Sequence, residues 1–216
     1  MLAARFRVHS ADDDYHWIDG PVKPYTDGDG TTDGVIAALR VVDYQVEAER
    51  KLQRLARFDT LTGLANRAET LARLEAALDD SRTPGTYLGI LFCDVDHFKT
   101  INDTWGHAIG DVVLTTLVTG IGECVRSEDS VGRMGGDEIL VLLPGIHSLD
   151  EAVDIAEAIR TRGMEPIHES DVTVHMTLSI GATVVVHGES VTTMMARADD
   201  AMYRAKDAGR NSVTRT

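Results

Sequence analysis

Gly132-Arg133-Met134-Gly135-Gly136-Asp137-Glu138-Ile139 sets two glycines between two strand-like segments and two acids directly behind them. Positive φ is cheap only for glycine, so Gly135-Gly136 reads as the tight turn of a β-hairpin around Arg133–Leu143. Asp137 and Glu138 then stand at the mouth of a buried strand. Unpaired acids there repel one another and are costly to desolvate, and a divalent cation would relieve both. A second acid group lies upstream, where the apolar run Tyr87–Cys93 ends in Asp94-Val95-Asp96-His97-Phe98-Lys99. Asp94 and Asp96 share a face only if the strand continues past them. Taken alone, this second cluster reads as acids that terminate a strand, although a carboxylate at a strand end also suits Mg²⁺. Two acid groups at separate strand ends are consistent with two-metal phosphoryl or nucleotidyl transfer.

Around these clusters, residues 59–216 read as one α/β domain. The periodicities predict a helix near 67–80, a strand at 86–93 and a helical hairpin across 97–124. After the β-hairpin come a helix at 149–162, strands around 172–186 and a last helix at about 190–208. Met194, Ala198, Ala201, Met202 and Ala205 line one face of that last helix, a pattern of core packing.

At roughly 150 residues per domain, a chain of 216 residues leaves a remainder in front of this domain. With 21 basic and 35 acidic residues the net charge is −14. Such a surface repels phosphate backbones and anionic headgroups, so nucleic acid is not an expected partner, nor is a membrane surface. No apolar run approaches the ~20 residues that span a bilayer. Arg5 and Arg7 precede an acidic Asp12–Asp14 cluster, unlike a secretory signal. Cys93 and Cys124 sit in apolar surroundings and read as reduced, buried thiols. The expectation is a soluble, cytoplasmic chain.

The remainder, residues 1–43, holds strand-like stretches at Arg5–Val8, Tyr15–Ile18 and Val35–Val42, separated by the turns Ser10–Asp14 and Thr26–Asp33. Three strands without a helix close no core of useful size, so the segment reads as the end of a domain that begins further upstream. The Trp-bearing strand, the Asp27-Gly28-Asp29-Gly30 turn and the last strand resemble the C-terminal half of a PAS sensor domain. From Tyr44 to Phe58 the code becomes helical, with Val42, Val46, Leu52, Leu55 and Phe58 at near-heptad spacing among charged residues. That pattern suits a coiled-coil connector over 44–58; the alternative is a helix packed on its own domain.

The hairpin motif resembles the GGDEF signature of diguanylate cyclases, which join two GTP molecules into cyclic di-GMP. Three further signatures of that family occur in order: Asp59–Arg67 ("DTLTGLANR"), Asp94–Asp111 ("DVDHFKTINDTWGHAIGD") and Tyr203–Asn211 ("YRAKDAGRN"). The resemblance covers residues 58–215. It implies a nucleotidyl-cyclase, palm-like α/β (α+β) fold with a central, mostly antiparallel sheet flanked by helices. Ile139 replaces the usual Phe, a hydrophobic swap on the buried side of the strand.

Roles follow from the resemblance position by position. Asp94 and Asp137 match the acids that coordinate two Mg²⁺ ions (Mn²⁺ being the alternative), and Val95 contributes its backbone carbonyl. Asp137 also matches the acceptor of the 3′-hydroxyl proton, and Glu138 is a further metal ligand or a proton relay. Lys99 matches the lysine that neutralises charge developing on the phosphates. Lys206 and Arg210 lie one helical turn apart, as a phosphate grip requires, although a basic helix end alone would read the same way. Phe98 belongs to the GTP site. Asn102 and Asp111 match the guanine readers, and a carboxylate that accepts from the N1–H and N2–H₂ edge would be left unpaired by adenine. His107 matches a histidine near base and ribose, or else is a helix-start histidine satisfied by the backbone. Arg126 and Asp129 match the RxxD inhibitory site for the product; the bland alternative is an i, i+3 surface ion pair.

The whole reading is a diguanylate cyclase of residues 59–216 behind a PAS-like tail and a helical connector. It acts as a homodimer, because each domain binds one GTP and supplies half of the active site. Cyclic di-GMP is both product and inhibitor. The rival reading is a catalytically silent GGDEF domain that serves as a cyclic di-GMP or GTP receptor. A polymerase is disfavoured by the net charge, since it needs a basic template groove.

Overall fold

The computed structural model describes residues 2–11, 13–80, 85–186 and 188–216. Asp12 of the N-terminal acidic cluster lies outside them. The chain divides into two compact units, residues 1–56 and 57–216.

The first unit is an antiparallel sheet followed by a helix. Strands β1 (Leu2–His9), β2 (Tyr15–Thr26) and β3 (Thr32–Ala37) lie side by side, and short β4 (Arg40–Val41) pairs with β2. The stretch expected as one strand over Val35–Val42 is thus two, since β3 and β4 each pair with a different part of β2. The β2–β3 turn is built by Asp27, whose Oδ1 accepts the amides of Asp29 and Thr31, both at 3.0 Å. Gly30 supplies the positive φ (81°) that closes it. Helix α1 (Asp43–Arg57) starts under Trp17, whose ring lies beneath the guanidinium groups of Arg7 and Arg50. Burial is sparse: Val42 and Val46 are enclosed, while Val35, Ile36 and Val41 stay exposed.

The second unit holds a five-stranded sheet in the order β11-β10-β5-β7-β6. Its strands are β5 (Tyr87–Val95), β6 (Ser130–Gly135), β7 (Glu138–Ile146), β10 (Leu178–Val184) and β11 (Ser212–Arg215). All pairings are antiparallel except β10 with β11. Central β5 is buried on both faces, which is why its sequence reads as an unbroken apolar run. Leu91, Cys93 and Val95 point into one core layer, filled by helices α4 (His107–Cys124) and α5 (Leu149–Gly163). Leu88, Ile90 and Phe92 point into the other, filled by α2 (Arg67–Asp80) and α6 (Val191–Asp207). On the α6 side, a Cβ at Gly181 would lie 2.2 Å from the Ala198 carbonyl oxygen, so glycine lets α6 rest directly on β10.

The helical hairpin is α3 (Phe98–Trp105) and α4, separated at Gly106. Ser148 caps α5 by accepting the Glu151 amide at 3.1 Å. Short β8 (Ile167–Glu169) and β9 (Val172–Val174) pair apart from the main sheet, so the strands expected around 172–186 belong to two sheets. Strand β11 has no strong pattern of its own and is formed by pairing with β10. Cys93 is buried, but Cys124, at the end of α4, is only partly covered, which corrects the expectation of two buried thiols.

Candidate active site

The hairpin turn is held by a brace. Gly135 and Gly136 take φ of 151° and 54°. Arg133 reaches over the turn, donating from Nε and Nη2 to the Gly136 carbonyl at 2.9 and 2.7 Å and from Nη1 to Asp59 Oδ1 at 2.9 Å. That Asp59 oxygen also accepts the amide and hydroxyl of Thr62, which folds the 59–66 loop. The Arg133 amide donates to the Ala65 carbonyl at 2.8 Å. The Asp59–Arg67 signature therefore anchors the hairpin, a function that its sequence alone did not suggest.

The turn delivers its acids to the end of β5. Asp94 and Glu138 are direct cross-strand partners, and Asp137 immediately precedes Glu138. Asp94 is 7% exposed, with Lys206 Nζ 2.7 Å from its Oδ2. Even so, burial holds the Asp94 carboxyl above its ordinary pKa. Burial, then the charge of Asp94, pushes Asp137 up to about 6, and the same two causes raise Glu138. Several carboxyl groups thus share one close lysine, and each resists ionisation. Such a set has spare affinity for a cation.

Asp96 behaves differently. Strand β5 ends at Val95, and Asp96 turns towards β10 and the end of α6. Its Oδ1 accepts the Ser179 hydroxyl at 2.7 Å, and its Oδ2 accepts the Thr177 hydroxyl at 2.7 Å and the Asn211 amide at 3.0 Å.

A cleft of about 340 Å³ opens at this strand end. Asp94, Val95, Phe98, Lys99, Asp137, Lys206 and Arg210 all line it, together with Asp96, His97 and Thr100. His97, in the left-handed region (φ 58°, ψ 26°), swings the chain from β5 into α3. The first turn of α3, with its unpaired amides, thereby forms part of the wall. His97 was not among the expected site residues; no local pattern marks a non-glycine left-handed turn.

The donor set fits Mg²⁺. Among the described residues no three acidic, histidine or cysteine side chains form a ready-made cage. Mg²⁺ does not require one, since it keeps several waters and completes its shell with one or two carboxylates and substrate phosphates.

The remaining expected residues lie elsewhere. Asn102 sits on α3 against Gly110 of α4, where an added Cβ would fall 1.9 Å from the Asn102 Oδ1. Asp111 is the next residue along α4, and His107 is the exposed first residue of that helix. Arg126 and Asp129 form a turn in which Asp129 Oδ2 accepts the Arg126 amide at 2.7 Å. The Arg126 guanidinium instead pairs with Glu151 at 2.6 Å, so the i, i+3 side-chain ion pair is not formed. Asp129 lines a larger cleft, about 600 Å³, together with Arg73 and Tyr87 at the opposite end of β5.

Residues 56–212 match the family described as diguanylate cyclase, GGDEF domain. The diguanylate cyclase TpbB of Pseudomonas aeruginosa is 42% identical over 163 residues, covering 74% of this chain and 38% of the relative. The diguanylate cyclase DgcM of Escherichia coli is 35% identical over 194 residues, 90% of this chain and 45% of the relative. The chain spans from about a quarter to about half the length of the curated relatives it matches. Among solved structures, the coiled coil and GGDEF domain of DgcB from Caulobacter crescentus, in complex with cyclic di-GMP, superposes with a TM-score of 0.74. It is 31% identical, and the match covers 81% of this chain and 93% of that one. The braced hairpin, the palm-like mixed sheet and these matches agree: this chain belongs to the diguanylate cyclase GGDEF-domain family.

Proposed function

We propose that the chain is an active diguanylate cyclase that condenses two GTP into cyclic di-GMP and two pyrophosphates. The observation that carries this reading is the meeting of Asp94, Asp137 and Glu138 at the end of β5, with Lys206 paired to Asp94. Asp94 and Asp137, with the Val95 carbonyl, would hold two Mg²⁺, and Glu138 would serve as a further ligand or a proton relay. Bound there, the metals would polarise the α-phosphate and lower the pKa of the 3′-hydroxyl. The chain's own residues do the rest. Lys206 and Arg210 grip phosphate oxygens, Lys99 offsets charge that develops in the transition state, and Asp137 accepts the 3′-hydroxyl proton. Phe98 and His107 flank the nucleotide. Asn102 and Asp111 read the guanine edge, rejecting adenine because Asp111 would be left without donors.

Each domain supplies one nucleotide, so the reaction needs a homodimer, and α1 is the candidate element that brings two copies together. The sheet of residues 1–43 is read as the end of a PAS-like sensor, with 44–58 as its connector to 59–216. No helix among the described residues is long and apolar enough to cross a membrane. GTP is a cytoplasmic nucleotide, and the proposal puts this domain in the cytoplasm. Arg126 and Asp129 are proposed to bind cyclic di-GMP as inhibitor, with Arg126 exchanging its Glu151 partner for a phosphate. The receptor alternative rests on Ile139, yet that side chain is fully buried in the α4–α5 core layer, away from the cleft.

The test is incubation of the purified chain with GTP and Mg²⁺, with cyclic di-GMP read by mass and Asp137→Ala run in parallel. Product from the unaltered chain alone is expected. GTP binding without product, in a chain forced to dimerise, would overturn the reading in favour of a receptor.

A further inference from the structure

Arg210 lines the cleft, yet its guanidinium is exposed and forms no hydrogen bond or ion pair among the described residues. Its position is therefore set by its backbone. That backbone is unusual: Gly209, Arg210 and Asn211 take φ of 114°, 66° and 43° in succession. Left-handed geometry is costly for a non-glycine residue, so the turn persists only where its surroundings over-determine it.

Besides a long bond from the Gly209 amide to the Lys206 carbonyl (3.4 Å), three contacts hold it. The Arg210 amide donates to the Ala205 carbonyl at 3.0 Å, and Asn211 Oδ1 accepts Arg160 Nη1 at 2.7 Å. The third comes from Asp96, 115 residues away in sequence, whose Oδ2 accepts the Asn211 amide at 3.0 Å. Asp96 is 4% exposed, and its own amide donates to the Thr177 carbonyl at 2.9 Å. With Ser179 and Thr177 on its oxygens as well, the carboxylate ties the ends of β5 and β10 to the point where β11 begins. All its donors are neutral, and both oxygens are occupied.

We propose that Asp96 is a positioning residue for nucleotide binding: it locks the Gly209–Asn211 turn and thereby sets Arg210 in the phosphate cleft. The proposal rests on the reading of that cleft as the GTP site. It needs a hydrogen-bond acceptor facing the Asn211 amide and does not need a charge. An asparagine can meet the need: its carbonyl oxygen, placed where Oδ2 stands, accepts from Asn211 and Thr177, and the Ser179 hydroxyl can turn round and accept from its NH₂ group.

The test uses 3′-deoxy-GTP with Mg²⁺, which lacks the attacking hydroxyl, so affinity is measured without turnover. Asp96→Ala should weaken binding about tenfold, in line with losing one charge-assisted phosphate contact, and should speed hydrogen exchange at the Asn211 amide. Asp96→Asn should restore both. In an Arg210→Ala background, Asp96→Ala should bring no further loss of affinity. If Asp96→Ala does not fold, Asp96→Ser replaces it, its hydroxyl being too short to reach Asn211. An equal loss with and without Arg210, unchanged affinity in the alanine variant, or failure of Asp96→Asn to restore binding would each overturn the proposal. Parallel assays with GTP keep the cyclase reading separate: binding without cyclic di-GMP would sink that reading and leave the Asp96 result standing.

Discussion

Asp94 and Asp96 stand two residues apart, and the structure treats them in opposite ways. Around Asp94, burial raises the carboxyl pKa of all three acids, and the charge of Asp94 raises Asp137 and Glu138 further, with Lys206 paired to Asp94. Around Asp96, neutral donors occupy both oxygens, and the carboxylate serves as a knot between three strand ends. The difference arises from where β5 stops. Asp94 is still in register with Glu138, whereas Asp96 lies past the last ladder pair and is free to turn sideways. One acid is left with an electrostatic deficit that a cation can fill, and the other is spent on geometry. A site is made where the fold withholds compensation from some groups and gives it fully to their neighbours.

The largest effect should come from Asp137→Asn. Turnover should fall by at least ~10³-fold, as expected when a preorganised electrostatic group is lost. Stability should move the other way. In the folded chain this carboxyl ionises at about 6 against an ordinary 3.8, so its charged form is the disfavoured one. The resulting destabilisation is complete above pH 6 and vanishes below pH 4. The variant should therefore melt higher than the parent at pH 8 and equally at pH 3.5, by calorimetry without metal. A lower Tm at pH 8 would break the contrast between the two acids.

Gly181→Ala sharpens the contrast from the cation's side. A Cβ there meets backbone atoms of Ala198 and Met202 at 2.2 and 2.4 Å, so α6, which carries Lys206, must move. Overpacking of this kind should cost about 3 kcal/mol in chemical denaturation. A cost near zero would mean that α6 floats on the sheet.

Arg133→Ala frees the Gly136 carbonyl and Asp59 together, and with them the aim of Asp137. Turnover should drop about tenfold, a small misplacement being enough to do so. A loss of melting temperature with full turnover would show that the brace serves stability alone. The smallest effect should be that of Arg126→Ala, at the other end of the unit. Its inhibition midpoint for added cyclic di-GMP should rise several-fold in initial-rate assays, as loss of one exposed charged contact implies. An unchanged midpoint would leave Arg126 with no role but its pair with Glu151.

Much of this molecule is written locally. The Gly135-Gly136 turn needs glycine, β5 needs an apolar run because both of its faces are covered, and α6 shows its packing face as alanine and methionine at helical spacing. Those signals act over two to four residues, the range in which backbone sterics and periodicity operate. They sufficed to outline most of the strands and helices, whereas Asp94, Lys99, Asp137, Lys206 and Arg210, which line a single cleft, were nominated by the resemblance of the ordered motifs to the GGDEF family. Other features depend on pairs far apart in the chain. Arg133 meets Asp59 across 74 residues, and Asp96 meets Asn211 across 115. Strand β11 exists because β10 offers it a parallel edge. The sequence by itself determined which residues carry charge and which segments carry most of the strands and helices. Only the tertiary structure decided which acid would stay uncompensated and which would be tied off, because solvation and partners depend on where the chain returns.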